Sequence, residues 1–218
     1  MSSHPSLAFA QAVTDRANSA WEDGSFLESV TPTTRALLTY WFDSAFTEFR
    51  DLNFHSGQRQ AILNAIYIHE VLKKERVLDV YQEISPQLLL ERGSGLEDLG
   101  DAIYNHPKYA IKMATGTGKT WVLQAMLIWQ YLNAQHEEGN YTKNFLVVAP
   151  GLIVYERLLD AFQGRLNEDG TTRDFETSDL YGTKELFIPE EYRDEVFGFC
   201  NVQSRQNLIL AVRLRVAG

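Results

Sequence analysis

The residues with the most chemical potential lie together in Ala114-Thr115-Gly116-Thr117-Gly118-Lys119-Thr120. Glycine at 116 and 118 frees the backbone to take positive φ and to approach a ligand closely. Successive N–H groups in such a turn point inward and form an anion nest. An apolar run follows at once, so the turn is expected to open a helix whose unpaired donors and dipole favour negative charge. Lys119 would set a compact cation on the β- and γ-phosphates of a nucleotide, and Thr120 would offer a hydroxyl to Mg²⁺. One position departs from the usual pattern: Met113 stands five residues before Gly118, where Gly or Ala is usual. The bland alternative is a chance glycine turn at a helix start.

Elements must position that loop. Residues 109–115 (YAIKMAT) read as a short strand and 118–134 as a helix. Trp121, Val122, Leu123, Ala125, Met126, Leu127, Ile128, Trp129 and Leu132 make this helix apolar on nearly every side, so it must be buried. Residues 144–149 (NFLVVA) read as a buried strand and 151–163 as a helix. The order β-α-β-α predicts an α/β, RecA-like P-loop domain with a mainly parallel sheet flanked by helices.

Upstream, Thr31-Pro32 opens a helix over 31–50 with Leu37, Leu38, Trp41, Phe42, Phe46 and Phe49 on one face. A second long helix is expected over 57–81. Residues 82–107 look irregular, with a short helix around 95–103, and residues 1–30 read as a loosely attached helix or a mobile segment. From Asn167 to Phe197 there are ten acids against Arg173, Lys184 and Arg193, which reads as a solvated excursion. Residues 196–202 (VFGFCNV) resemble one more strand and 205–216 one more helix. The expected organisation is an N-terminal helical segment, 1–50, followed by an ATP-binding lobe, 51–218.

Composition narrows the classes. The chain has 218 residues, is 44% hydrophobic and carries a formal charge of −9, so it can bury a core and does not hold nucleic acid by bulk charge alone. Cys200 is its only cysteine, which excludes a disulfide framework within the chain. The N-terminus lacks the pattern of a signal peptide, and no apolar run reaches membrane-spanning length. A cytoplasmic protein is the simplest expectation.

Asn53-Phe54-His55-Ser56-Gly57-Gln58-Arg59-Gln60 lies upstream of the loop, and here the chain resembles the superfamily 2 helicases and translocases. With MATGTGKT, LLTYWF and FHSGQRQAI, it is most similar to the Res-type subunit of type III restriction enzymes. The resemblance is good over roughly 32–163. It implies that Gln58 bonds the adenine edge and that Phe54 packs on the ring. It also implies that the turn after Val147-Val148-Ala149, with Pro150, Gly151 and Arg157, touches a DNA backbone. Gln203 is a weaker candidate of the same kind. The partners implied are DNA, a second RecA-like lobe and a modification subunit, with no membrane.

The acidic Asp-Glu pair that helps such a lobe hydrolyse ATP should end an apolar strand. Asp194-Glu195-Val196-Phe197 is preceded by Glu190-Glu191-Tyr192-Arg193 and reads as a false match, as do Leu96-Glu97-Asp98 and Asn167-Glu168-Asp169. The expectation is therefore a fragment that binds ATP or ADP without efficient hydrolysis. A small-molecule kinase, a GTPase or a non-catalytic nucleotide-binding domain stands as the alternative. His69-Glu70 begins like a zinc-protease motif, but Lys73 occupies the place of the second histidine. Gly93-Ser94-Gly95 lacks the strand a nucleophile elbow needs. His136-Glu137-Glu138 reads as a solvated helix end.

Overall fold

The computed structural model describes residues 5–90, 96–100, 107–200 and 208–212. In chain order the helices are α1 (Pro5–Glu22), α2 (Ser25–Ser29), α3 (Pro32–Phe42), α4 (Ser44–Thr47), α5 (Ser56–Ile66) and α6 (Val77–Ile84). They continue with α7 (Lys119–His136), α8 (Leu152–Gln163), α9 (Asp179–Gly182), α10 (Lys184–Phe187) and α11 (Arg193–Cys200). The strands are β1 (Phe145–Ala149), β2 (Arg165–Leu166), β3 (Arg173–Asp174) and β4 (Leu208–Val212). The chain divides into two compact units, Met1–Thr31 with Ser56–Thr117 and Pro32–His55 with Gly118–Gly218.

The first unit is helical. α1 was open to being loosely attached, yet it buries Val13 and Ala17. Phe9 stacks on Tyr81 of α6 with ring centroids 4.0 Å apart, and the guanidinium of Arg59 lies 4.9 Å from the ring centre of Trp21. Burial of that guanidinium holds the Arg59 pKa below its usual value. The helix expected over 57–81 is interrupted. α5 ends at Ile66, a π-helical turn spans Tyr67–Val71, and Lys73 adopts a left-handed φ of 53°. The physical reason is visible in Lys73-Lys74-Glu75-Arg76, a charged run with no apolar residue to continue the stripe. Among the described residues, Glu97–Gly100, a single 3₁₀ turn, stands where a helix around 95–103 was expected; residues 101–103, and Gly93-Ser94-Gly95, lie outside the described residues.

The strand expected at 109–115 is not formed: the backbone from 107 to 114 is irregular. Tyr109 and Ile111 are 41% and 42% exposed. The alternation of this stretch suits a half-buried strand, but a strand also needs a hydrogen-bonded neighbour, which alternation does not specify.

The second unit holds the described strands. β1 pairs with β4 in parallel, Phe145 opposite Leu208 through Ala149 opposite Val212, and β2 pairs with β3 antiparallel. Among the described residues these are two separate two-stranded sheets, so the broader parallel sheet of the sequence reading is not seen. α3 begins at Pro32, the first-turn position that suits proline's missing N–H. It stops at Phe42 because Asp43 caps a new helix, its carboxylate accepting from the Ala45 N–H at 2.8 Å. The apolar face therefore splits: Leu37, Leu38 and Trp41 are fully buried, whereas Phe49 is 85% exposed.

α3 is pinned to α7 by buried polar groups. Trp129 Nε1 and Asn133 Nδ2 both donate to Thr34 Oγ1, at 3.0 and 2.9 Å. Thr34→Val keeps the shape and removes the acceptor both donors share, while Asn133 Nδ2 keeps the Trp129 carbonyl at 2.8 Å. We expect it to destabilise the protein by about 2 kcal/mol, read as a lower denaturant midpoint, since taking away one partner of a buried hydrogen bond costs about 1–3 kcal/mol.

The acidic stretch 167–197 is not a solvated excursion. Leu180, Leu186, Phe187, Ile188 and Val196 are buried between the exposed acids and form part of the unit's core. Residues 196–200 continue a helix, α11, where a strand was expected, and β4 replaces part of the helix expected over 205–216. The rest of those two stretches, with Gln203, lies outside the described residues.

Candidate nucleotide-binding site

The loop from Ala114 to Thr120 has the backbone its glycines suggest. Gly116 takes φ 81° and Gly118 takes φ 67°, both in the left-handed region that an L side chain rarely enters. A Cβ at Gly116 would meet nothing within 4 Å, so the demand there is for conformation and not for space. Thr117 Oγ1 donates to the Ala114 carbonyl at 2.7 Å and closes the turn. Gly118 is the N-cap of α7, and Lys119 is that helix's first residue, exposed to solvent. Thr115 is exposed and Thr120 half-buried.

α7 is a rigid base for this turn. Its 18 residues bury Val122, Ala125, Leu127, Ile128, Trp129, Tyr131 and Leu132, in keeping with a stretch apolar on nearly every side. Gln124 Nε2, also buried, donates to the Ala161 carbonyl of α8 at 3.1 Å. A helix fixed in this way directs its first-turn N–H groups at one place.

The other predicted residues fall into two settings. Phe54 packs edge-on against Trp41, Phe42 and Phe187, with centroids 5.4–5.9 Å apart. Phe187 in turn meets Trp121, two residues after Lys119, at 5.9 Å. The aromatic cluster of Phe54 thus reaches the first turn of α7. Trp121 and Phe187 were not singled out from the sequence as site residues; the only signal was an aromatic directly after Gly-Lys-Thr. Gln58 sits in the first turn of α5, in the first unit, and is only 2% exposed. A side-chain amide that deep is held by hydrogen bonds.

At the end of β1, Pro150 is exposed and Gly151 caps α8 in extended conformation. Arg157 is exposed on α8, and Leu152 and Ile153 are 60% and 76% exposed. This turn offers helix N–H groups beside a surface cation.

Residues 51–211 match the family model described as the type III restriction enzyme, res subunit. The chain belongs to that family. The match covers well over half of its length and contains the loop, Gln58, Phe54 and the β1–α8 turn. The Res family domain is RecA-like and is an ATP-dependent, helicase-type motor module. No curated protein matches the chain, and no solved structure does. No helix among the described residues is long and apolar enough to cross a membrane.

Two acidic features of this Res-family chain have structural partners. Asp194-Glu195 lies in α11, and Glu195 meets His136 Nε2 at 2.9 Å. Glu137 is no solvated cap: its carboxylate accepts from the Thr33 N–H at 2.9 Å and from the Thr33 hydroxyl at 2.6 Å. It therefore satisfies an N–H that the first turn of α3 leaves unpaired. Cys200 is fully buried, and burial pushes its thiol up to about 12, so it supplies no thiolate at neutral pH.

Proposed function

We propose that this chain is the ATP-binding portion of the first RecA-like motor lobe of a DNA helicase or translocase belonging to a restriction–modification enzyme. The observation that carries the reading is the glycine turn at 116–118. It has positive φ at both glycines and opens directly into the buried α7, inside the stretch that matches the Res family. In this reading Thr115, Gly116, Thr117 and Gly118 cradle the phosphates with their N–H groups, Lys119 pairs with the β- and γ-phosphates, and Phe54 and Gln58 hold the base. The left-handed glycines and the hydroxyl at the second position of α7 fit a nucleotide with Mg²⁺, and Thr120 is the residue that would hold the ion. Bound there, Mg²⁺ would neutralise charge shared between the terminal phosphates.

The lobe would span 51–218 with a helical segment over 1–50, and its sheet would be mainly parallel, as the β1–β4 pair is. Pro150, Gly151 and Arg157 would meet a DNA backbone through the helix donors and the cation. A second RecA-like lobe and a modification subunit are the expected partners. The chain itself is proposed to bind ATP or ADP without efficient turnover, because Asp194-Glu195 sits on a helix and engages His136 instead of ending an apolar strand.

The test is direct. Titration of the purified chain with ATP, ADP and GTP, each with Mg²⁺, should show binding of the adenine nucleotides and a much weaker response to GTP. Phosphate release with and without duplex DNA should stay near background. Preference for GTP, or transfer of phosphate to a small acceptor, would move the chain to another P-loop class.

A further inference from the structure

The π-helical turn at Tyr67–Val71 lies apart in sequence from the phosphate loop and from the β1–α8 turn. Such turns are rare and frequently stand at functional sites. Here the turn closes with the Leu72 N–H donating to the Tyr67 carbonyl at 2.9 Å and is followed by Lys73 in left-handed conformation. A sparsely populated backbone of this kind persists when surrounding contacts fix it. Two consecutive residues of the turn make such contacts within the first unit. Glu70, 4% exposed, accepts from the Thr31 N–H at 2.9 Å through its carboxylate. His69 Nδ1 lies 3.3 Å from the Tyr109 hydroxyl, forty residues along the chain.

Tyr109 stands five residues before Ala114. The intervening backbone is irregular, so no ladder of main-chain bonds sets where the loop begins. Side-chain ties must do more of that work, and the hydroxyl of Tyr109 is placed to supply one. The π turn also follows directly from α5, the helix that carries Gln58. It therefore joins the helix bearing the adenine-reading candidate to the segment that enters the phosphate loop.

We infer that His69 and Tyr109 are positioning residues for the nucleotide: their contact fixes the approach to Ala114–Thr120 and so sets nucleotide affinity. This rests on the phosphate-loop reading above. Neither side chain touches the ligand; both act through the backbone between 109 and 114.

The experiment uses the whole chain and a fluorescent ATP analogue with Mg²⁺. His69→Ala and Tyr109→Phe should each weaken binding by roughly three- to tenfold, the scale of one lost hydrogen bond. The double variant should be no weaker than the weaker single one, because both substitutions remove the same contact. His69→Gln, which keeps a polar group facing the phenol, should recover most of the affinity. Amide exchange over 110–114 should quicken in Tyr109→Phe while exchange in α7 stays unchanged, which a general loss of stability would not produce. The inference is overturned if the single variants bind like the parent while Lys119→Ala loses binding, if the two losses add, or if exchange over 110–114 does not change. If Lys119→Ala also binds like the parent, the phosphate-loop reading falls and takes this inference with it.

Discussion

Lys119→Ala should weaken ATP binding by about 10- to 150-fold and leave the fold intact. The size follows from the loss of a charge-assisted contact to phosphate, worth about 1.5–3 kcal/mol, where about 1.4 kcal/mol is a factor of ten. The fold should survive because Lys119 is exposed at the first position of α7, and the stability of that helix comes from Val122, Ala125, Ile128 and Leu132 further along. Net charge is a confounder in a chain at −9. Lys143→Ala removes the same charge from a surface lysine whose Nζ donates to Gln135, so it should leave affinity unchanged. Calorimetric titration of both variants separates the cases. Equal affinity in Lys119→Ala and the parent would show that the turn is only a helix start.

The elements nearest this loop were the most legible ones. α7, β1 and α8 are each fixed by a local pattern: an all-round apolar helix, a five-residue apolar strand and an amphipathic helix after a glycine, although β1 is not the buried strand expected, since Leu146 and Val148 are exposed. Such patterns depend on the residue's own neighbours in sequence, so they can be read without the fold. The stretch 109–115 shows the opposite case. It reads as a short strand, but pairing with another strand is decided elsewhere in the chain. In VFGFCNV the strand reading overlooked a helical phase that was present: Val196, Phe199 and Cys200 are the buried residues, spaced three and four apart. Asp194 and Glu195 in the first turn also suit a helix N-terminus. At the site, residue types were legible and environments were not. Gln58 was identified as a candidate adenine reader from its motif, yet nothing local announces that it is 2% exposed. Phe54 was read as a ring for the base, while its packing on Trp41, Phe42 and Phe187 joins residues more than a hundred positions apart.

Gly164→Ala should be among the most damaging single substitutions in the second unit, at about 3–5 kcal/mol, because it combines backbone strain with a clash that cannot relax. Gly164 ends α8 with φ 84°, and a Cβ there would stand 1.7 Å from the Asp174 carbonyl oxygen and 2.5 Å from its carbon. Both atoms are main chain, so no rotamer change relieves the overlap. The close approach is held from several sides. Arg173 donates to the Gly164 carbonyl at 2.6 Å and to Asp160 at 2.7 Å, and it pairs with Glu156 at 3.0 Å. The Arg165 N–H donates to Thr177 Oγ1 at 2.7 Å. These contacts hold the hairpin: Arg173 gathers Glu156 and Asp160 of α8, and Asp169 at the tip serves the turn. Asp169 accepts from the Thr171 and Thr172 N–H groups, and the hydrogen bonds from Thr172 are the main reason its carboxyl is held down to about 2. Any contribution of that carboxylate to stability is present above the ordinary aspartate range and is lost as pH falls towards 2. Gly170→Ala is the matched control. Its φ is 67° with nothing within 4 Å of the added Cβ, so it carries conformational strain without a clash and should cost only about 1–2 kcal/mol. Denaturant midpoints of the two variants decide the matter: similar losses at 164 and 170 would mean that the backbone approach between Gly164 and Asp174 is not as close as described.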